Sequence, residues 1–139
     1  MPTPFFTGLI SVWLIVASSA GAADFGVAHS PVKGSDERQA ILEGVHVAYA
    51  QTDRTRTVKT VEFGVPYLKA HGDWAWIEIH PHSRDGKQQF EPQSGLFQHK
   101  GKKWLLVEWV PAEGDSDPKK FIADLPKRYP AFPRDILPK

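Results

Sequence analysis

Cysteine is absent from this chain of 139 residues. Without a thiol the protein can form no disulfide and no cysteine-based zinc site, and thiol catalysis is excluded. The fold must therefore be held together by packing alone. In an exported protein this suits a bacterial periplasm better than a disulfide-stapled secreted scaffold.

Charged side chains are missing from residues 1–23. Residues 5–17 form an almost unbroken apolar run, which is shorter than the roughly 20 residues that a membrane-spanning helix needs. Small residues follow this run, and no basic flank does. The pattern predicts a signal peptide over residues 1–23, cleaved after Ala22 or Ala23, although its first four residues lack the usual Lys or Arg. We therefore expect a periplasmic or secreted protein with no membrane span after cleavage.

Neither sign of charge dominates, since 17 basic residues stand against 16 acidic ones. The chain has no basic stripe interleaved with aromatic residues, so we predict no nucleic-acid partner. The lysines of residues 100–103 are interpreted as a solvated turn. No Gly-x-Ser-x-Gly elbow is present, and no motif indicates a cofactor.

The mature part of the chain is long enough for one domain with one core. Residues 24–34 lack periodicity and are interpreted as a flexible leader, and residues 35–139 as a single domain. Helix-initiating residues begin at Ser35, and apolar residues then recur at helical spacing. These apolar positions are Ile41, Leu42, Val45, Ala48 and Tyr49.

Beyond Gln51 the hydrophobic period changes to two, which is typical of strands. The predicted strands are residues 58–67, 74–80, 95–99 and 104–110. Gly64 and Pro66 interrupt the first strand and predict a bend or bulge there. Turns at residues 71–73 and 100–103 join the strands into two hairpins.

Residues 112–139 form a proline-rich C-terminal tail, with five prolines from Pro118 onward. Such a tail is expected to form neither a central strand nor a long helix. Its spaced aromatic and aliphatic residues predict that it wraps the domain and is fixed by aromatic contacts. The predicted fold class is α+β: one N-terminal helix packed on a four-stranded antiparallel meander sheet, followed by this tail.

Two hairpin segments carry a family resemblance: GDWAW at residues 72–76 and GKKWLLV at residues 101–107. With the element order, they resemble the cystatin-like superfamily, and within it small exported bacterial relatives of the nuclear transport factor two and ketosteroid isomerase-like domains. The resemblance covers about residues 35–110. Its enzyme members enclose an apolar pocket beneath two or three helices, with an acid or a histidine inside. Here only one helix is predicted before the sheet, and no catalytic residue matches a family motif.

The residues of the second predicted strand alternate between two faces. Ala75, Ile77 and Ile79 share one face, which is the expected seat of the helix. The opposite face carries Trp74, Trp76 and Glu78, together with residues of the last strand. The candidate contact residues on it are Trp74, Trp76, Glu78, Trp104 and Glu108. This face is either covered by the tail or offered to a partner, because monomers seldom expose large apolar patches.

His80 and His82 form a His-Pro-His triplet that could bind Zn²⁺ or Cu²⁺, with His99, Asp85 or Glu78 as a third ligand. The competing interpretation is that Pro81 ends the strand and that both rings lie in solvent. The leading hypothesis for function is a non-catalytic binding domain, possessing no cofactor, that contacts an unknown protein or cell-envelope ligand, as an inhibitor or an accessory protein. The alternatives are a small-molecule-binding or isomerase-like pocket enzyme and metal binding at the triplet. The chain is expected to be a monomer or a homodimer.

Overall fold

The computed structural model describes residues 26–52, 61–111 and 117–139. Its helices and strands are α1 (Asp36–Thr52), β1 (Val61–His71), β2 (Trp74–Ser83), β3 (Gln93–Lys100), β4 (Lys103–Trp109) and α2 (Pro118–Arg128), followed by a short 3-10 turn (Arg134–Ile136). The predicted signal peptide, the start of the first predicted strand and residues 112–116 of the tail lie outside the described residues. The predicted α+β class is confirmed.

Helix α1 begins where the sequence predicts. The Ser35 hydroxyl accepts a hydrogen bond from the Arg38 N–H at 3.2 Å, which satisfies one of the free donors of the first turn. Asp36 and Glu37 place negative charge near the positive end of the helix dipole. The buried side of the helix follows the predicted spacing, and it consists of Ile41, Val45 and Ala48.

The four strands form one antiparallel sheet in the order β1-β2-β3-β4. The β1–β2 and β3–β4 hairpins turn over two residues each, and Gly72 and Gly101 take positive φ angles of 59° and 64° there. Only glycine adopts such angles without strain, which explains its position in both turns. The predicted irregularity in the first strand is a register shift between Gly64 and Tyr67.

Strand β2 continues through Pro81, contrary to the expectation that this proline would end it. Pro81 pairs with Phe63, and its carbonyl accepts a hydrogen bond from the Phe90 N–H at 2.9 Å. The nitrogen and carbonyl of a strand residue point the same way, so the prolyl nitrogen also faces away from β1. The missing N–H therefore costs no hydrogen bond in the β1–β2 ladder.

The tail contains a helix that the sequence analysis did not predict. Its prolines are compatible with α2 because Pro118 occupies the first turn, where its missing N–H has no helical partner, and Pro126 lies in the last turn. The Asp117 carboxylate caps the helix by accepting a hydrogen bond from the Lys119 N–H at 2.9 Å. The other three prolines of the tail lie beyond the end of the helix at Arg128.

The sheet lies between α1 on one face and the C-terminal segment on the other. Ala75, Ile77 and Ile79 pack in the α1 core, as their alternation predicts. The second core joins the sheet to the tail, and its buried residues are Trp76, Leu96, Leu125, Phe132 and Ile136. The tail thus covers the sheet face that bears Trp76, which was one of the two expected outcomes.

Aromatic and polar contacts fix the C-terminal segment on this second face. The Trp74 ring lies 6.0 Å from the rings of Tyr129 and Phe132, and the Phe132 contact has an edge-to-face angle of 83°. The Tyr67 hydroxyl donates a hydrogen bond to the Ile136 carbonyl at 2.8 Å. The predicted fixing of the tail by aromatic contacts is confirmed.

The leader also contributes to the domain. His29 pairs with Ala70 through two backbone hydrogen bonds of 2.9 Å, so the leader lies along the outer edge of β1. The His29 ring lies 2.9 Å from the Glu37 carboxylate, which links the leader to the first turn of α1. The outer edge of β1 is therefore paired with the chain itself at Ala70.

Candidate functional site

The five residues predicted to form one contact surface lie on different faces of the sheet. Trp76 is 1% exposed beneath the C-terminal segment, and Trp104 is 6% exposed in the α1 core. Trp74 packs beside Trp76, while Glu78 is partly exposed. The expectation that all five residues share a face is thus wrong for Trp104, and the indoles of both Trp76 and Trp104 are buried.

A β-bulge in β4 is the physical reason. Leu96 pairs with Glu108, but the next residue, Phe97, pairs with Leu106, so Val107 is an extra residue in β4. An extra residue reverses which face the following side chains occupy. Trp104, before the bulge, and Trp109, after it, therefore both pack on the α1 face. With strict alternation, Trp104 and Glu108 would share one face of β4 and Trp109 would lie on the other.

Both candidate glutamates are engaged by neighbouring side chains. Arg128 of α2 places its Nη1 atom 2.7 Å from both carboxylate oxygens of Glu108. Burial and then the charge of Glu108 raise the pKa of Tyr129 beside this pair. Glu78 lies 3.2 Å from the Nε2 atom of His80. The Glu108 contact thus helps to fix α2 on the sheet.

The His-Pro-His triplet does not gather a metal-ligand set. The His80 ring contacts Glu78, whereas the His82 Nδ1 atom lies 2.8 Å from the Ser83 carbonyl oxygen. Asp85 accepts hydrogen bonds from the Ser83 hydroxyl and the Lys87 N–H, which hold its pKa below the usual value. Within residues 26–52, 61–111 and 117–139, no three His, Asp or Glu side chains are grouped as metal ligands.

His99, the other proposed third ligand, belongs to the opposite end of the sheet. Its ring stacks on Trp104 with a centroid distance of 5.0 Å, and its Nδ1 atom lies 3.6 Å from the Asp73 carboxylate. Asp73 stands in the turn between β1 and β2, whereas His80 lies near the far end of β2. Of the proposed third ligands only Glu78 lies beside His80, and in the described part of the chain His82 does not join these two as a set of three ligands.

A groove of about 330 Å³ lies between α1 and the β3–β4 hairpin, and no sequence pattern predicts it. Residues 40–47 of α1 and residues 102–105 of the hairpin line it, and we call it the α1–β4 groove. Val47 and Leu105 on its walls are 56% and 46% exposed, and the other two exposed large apolar side chains of the described residues, Val27 and Val32, lie in the leader. Such exposure next to a concavity is typical of a contact site.

Gly44 sets how closely the two walls of this groove approach. A methyl group at Gly44 would overlap the carbonyl oxygen of Trp104 and lie 3.0 Å from its Cβ atom. Only a residue without a side chain allows α1 to lie this close to the backbone of β4. The spacing of apolar residues along the helix gives no signal for such a contact, because it depends on a backbone atom of β4.

Three lysines stand at one end of the groove, at the tip of the β3–β4 hairpin. Lys100, Lys102 and Lys103 are all exposed. None of them forms an ion pair with a carboxylate in the described residues, and neither does Glu43 on the helical wall. The groove therefore combines exposed apolar side chains with unpaired charges, and the positive sign predominates.

A second, more open groove of about 720 Å³ lies where β3 begins and β4 ends. Trp109 forms part of its wall, and the indole Nε1 atom is buried without a hydrogen-bond partner in the described residues. Pro111 and Pro118 border this groove on either side of residues 112–116, which lie outside the described residues.

The chain matches no family model, and searches of curated proteins and of solved structures found no similar protein. The cystatin-like resemblance therefore stays a prediction. Among the described residues, no helix has the length and the apolar character that crossing a bilayer requires.

Proposed function

We propose that this protein is an exported, non-catalytic binding module that contacts another protein through the α1–β4 groove. The uncharged residues 1–23 and their apolar run support export. The single observation that supports the binding site is the pair of exposed apolar walls, Val47 and Leu105, around a concave surface. Protein-binding sites contain clusters of exposed apolar side chains, whereas single exposed apolar side chains are common on any protein surface.

The rest of the sheet offers less surface for a partner. The C-terminal segment covers the face that bears Trp76, and the leader pairs with the outer edge of β1 at Ala70. The α1–β4 groove is at the opposite edge, where no described segment lies over it. A partner would therefore meet β4 and α1 before any other part of the sheet.

The alternative of a pocket enzyme is less well supported. By resemblance, the enzyme relatives hold an acid or a histidine inside an enclosed apolar cavity. In the described residues no polar or charged residue is buried, and both cores consist of apolar side chains. Enzymes commonly place an ionisable side chain in a dry pocket, because desolvation shifts its pKa to a value that acid–base catalysis can use. We retain the cystatin-like assignment as a proposal about ancestry, and we propose binding as the activity.

A crosslinking experiment tests the groove as a binding site. The full chain, with its own N-terminal residues, is produced in a bacterium with a photoreactive phenylalanine derivative at Leu105 or at Val47. Val27, which is 61% exposed near the opposite edge of the sheet, is the matched control. We expect a discrete crosslinked adduct from both groove positions and none from Val27. Equal adducts at all three positions, or no adduct at Leu105 and Val47, would contradict the proposal.

The same preparation tests export. Intact-mass measurement of the periplasmic protein should show a chain that begins at Ala23 or Asp24, since cleavage is expected after Ala22 or Ala23. A protein that keeps residues 1–23 and stays with the cytoplasmic fraction would contradict export while leaving the groove untouched.

A further inference from the structure

We infer that the α1–β4 groove binds an acidic peptide segment of its partner, with an apolar side chain of that segment lying between Val47 and Leu105. This inference rests on the proposed function and adds the chemistry of the partner. Three properties of the groove favour such a ligand: its charge, its shape and the contact of α1 with the edge of β4 at Trp104.

The charge of the groove favours carboxylates. Lys100, Lys102 and Lys103 lie within four consecutive residues around Gly101, which turns the chain tightly with a φ of 64°. Like charges held this close repel one another, and no carboxylate of the described residues lies within ion-pair distance of any of them. A ligand that brings carboxylates to Lys102 and Lys103 relieves this repulsion and gains attraction. Glu43 on the opposite wall is a single charge and opposes the ligand only in part.

The shape of the groove favours a peptide over a lipid surface. Its volume of about 330 Å³ is at the lower end of the range for ligand sites, which suits a short segment. A concave site accepts a protruding side chain, whereas a bilayer presents a flat surface. The whole chain also carries a formal net charge of only +1, which gives little general attraction to anionic lipid.

The closed sheet edge favours recognition through side chains. In a two-residue hairpin the pair next to the turn is hydrogen-bonded, so the next pair, His99 and Trp104, directs its backbone groups outward. Gly44 of α1 lies against the outward carbonyl of Trp104. A partner strand therefore cannot add to β4 at this residue, and binding depends on charges and on one apolar contact.

Two probe peptides test this inference by nuclear magnetic resonance of the isotope-labelled mature chain. The acidic probe is acetyl-Asp-Glu-Leu-Asp-Glu-amide, and the reversed probe is acetyl-Lys-Lys-Leu-Lys-Lys-amide. We expect the acidic probe to shift amide resonances in residues 40–47 and 102–105 and to bind roughly tenfold more tightly than the basic probe. Added salt should weaken this binding, because the lysines are exposed.

A matched pair of variants separates specific from general charge effects. The double substitution Lys102→Glu and Lys103→Glu should reduce the affinity for the acidic probe at least roughly tenfold. The control is Lys119→Glu with Lys120→Glu, which reverses two exposed lysines in the first turn of α2 and makes the same change in net charge. The control should bind the acidic probe with at most a small loss. Equal losses in both variants would overturn the inference.

The remaining outcomes distinguish this inference from the proposed function. In one such outcome the basic probe binds the groove as tightly as the acidic one, and in another neither probe binds while position 105 still forms its crosslink. Either result would overturn the inference of an acidic partner and would leave the proposed binding site supported. If neither probe binds and no crosslink forms, both proposals fail. Sedimentation with vesicles of phosphatidylglycerol and phosphatidylethanolamine is the third arm. Vesicle binding that is lost in the Lys102→Glu, Lys103→Glu variant would replace the peptide with a membrane surface.

Discussion

Replacing Gly44 with alanine is expected to destabilise the protein, although helix propensity alone predicts the opposite. In the interior of an exposed helix this change gains roughly 0.5–1 kcal/mol, because glycine loses more backbone freedom on folding. In this protein the added methyl group would overlap the Trp104 carbonyl oxygen and lie 3.0 Å from the Trp104 Cβ atom and 3.1 Å from its carbonyl carbon. All three neighbours belong to β4, and two of them are backbone atoms that cannot rotate away.

The size of the effect follows from the distances. Carbon atoms pack best at about 3.5–4.0 Å, so α1 must move away from β4 by roughly 0.5 Å or more. Overpacking of this kind costs roughly 1–3 kcal/mol. Because two of the clashing atoms belong to the backbone, the cost should lie at about 2–3 kcal/mol, and after the propensity gain is subtracted the free energy of unfolding should fall by about 1–2 kcal/mol. For a domain of this size such a loss lowers the melting temperature by about 4–8 °C.

Urea unfolding followed by tryptophan fluorescence measures this change, with thermal unfolding as a second probe. The control is Gly26→Ala, because a Cβ atom at Gly26 meets nothing within 4 Å. That variant should stay within about 0.5 kcal/mol of the parent. A Gly44→Ala protein as stable as the parent, or more stable, would refute the close approach of α1 to β4 and the groove geometry built on it.

Three further predictions concern the core beneath the C-terminal segment and one histidine. Leu125→Ala should cost roughly 2–5 kcal/mol in urea unfolding, since the side chain is fully buried against Trp76; a loss below about 1 kcal/mol would contradict the packing of α2 on the sheet. Tyr67→Phe removes one hydrogen bond and should cost roughly 1 kcal/mol, with faster hydrogen exchange confined to the C-terminal segment. The His46 ring should titrate below its usual pKa near 6.5, because burial disfavours its charged form. The pKa of His46 is then lower in the folded state than in the unfolded state, so the unfolded state binds a proton first and the free energy of unfolding falls as the pH drops through about 6.5. Phe63→Ala removes a ring 4.3 Å from His46 and should bring this pKa back toward the usual value in a magnetic resonance titration.

The elements that follow from local patterns were predictable. The spacing of Ile41, Val45 and Ala48 marks the buried side of α1, and the period of two from Ala75 to Ile79 marks the strand face on which it packs. Gly72 and Gly101 mark two-residue turns, where glycine takes positive φ without strain. Each of these signals depends on neighbours within a few residues along the chain.

Helix α2 and the path of β2 through Pro81 were harder to predict, because the effect of a proline depends on which hydrogen bond it removes. Pro118 and Pro126 stand near the ends of α2, where few bonds are lost, and Pro81 directs its nitrogen away from β1. The number of prolines in a segment does not show which hydrogen bonds their missing N–H groups would have made. The number of prolines in the tail was therefore a poor guide to its helix.

The candidate site was the least predictable part of the protein. Trp104 and Glu108 have the same parity along β4, yet the bulge at Val107 places them on opposite faces. The α1–β4 groove joins residues 40–47 to residues 102–105, which are far apart in the sequence and share no motif. Gly44 permits their approach, and its role depends on a backbone atom of another strand.

By itself, the sequence determined the α+β class, the two hairpins, the buried side of α1 and the absence of disulfide or thiol chemistry. These features depend on the amino-acid composition and on the helix and strand periodicities, which extend over only a few residues. The tertiary structure alone decided which tryptophans are covered, where the bulge reverses β4, and that exposed Val47 and Leu105 share a groove with unpaired lysines. These features depend on contacts between segments that are far apart in the sequence, and such contacts form only when the chain folds.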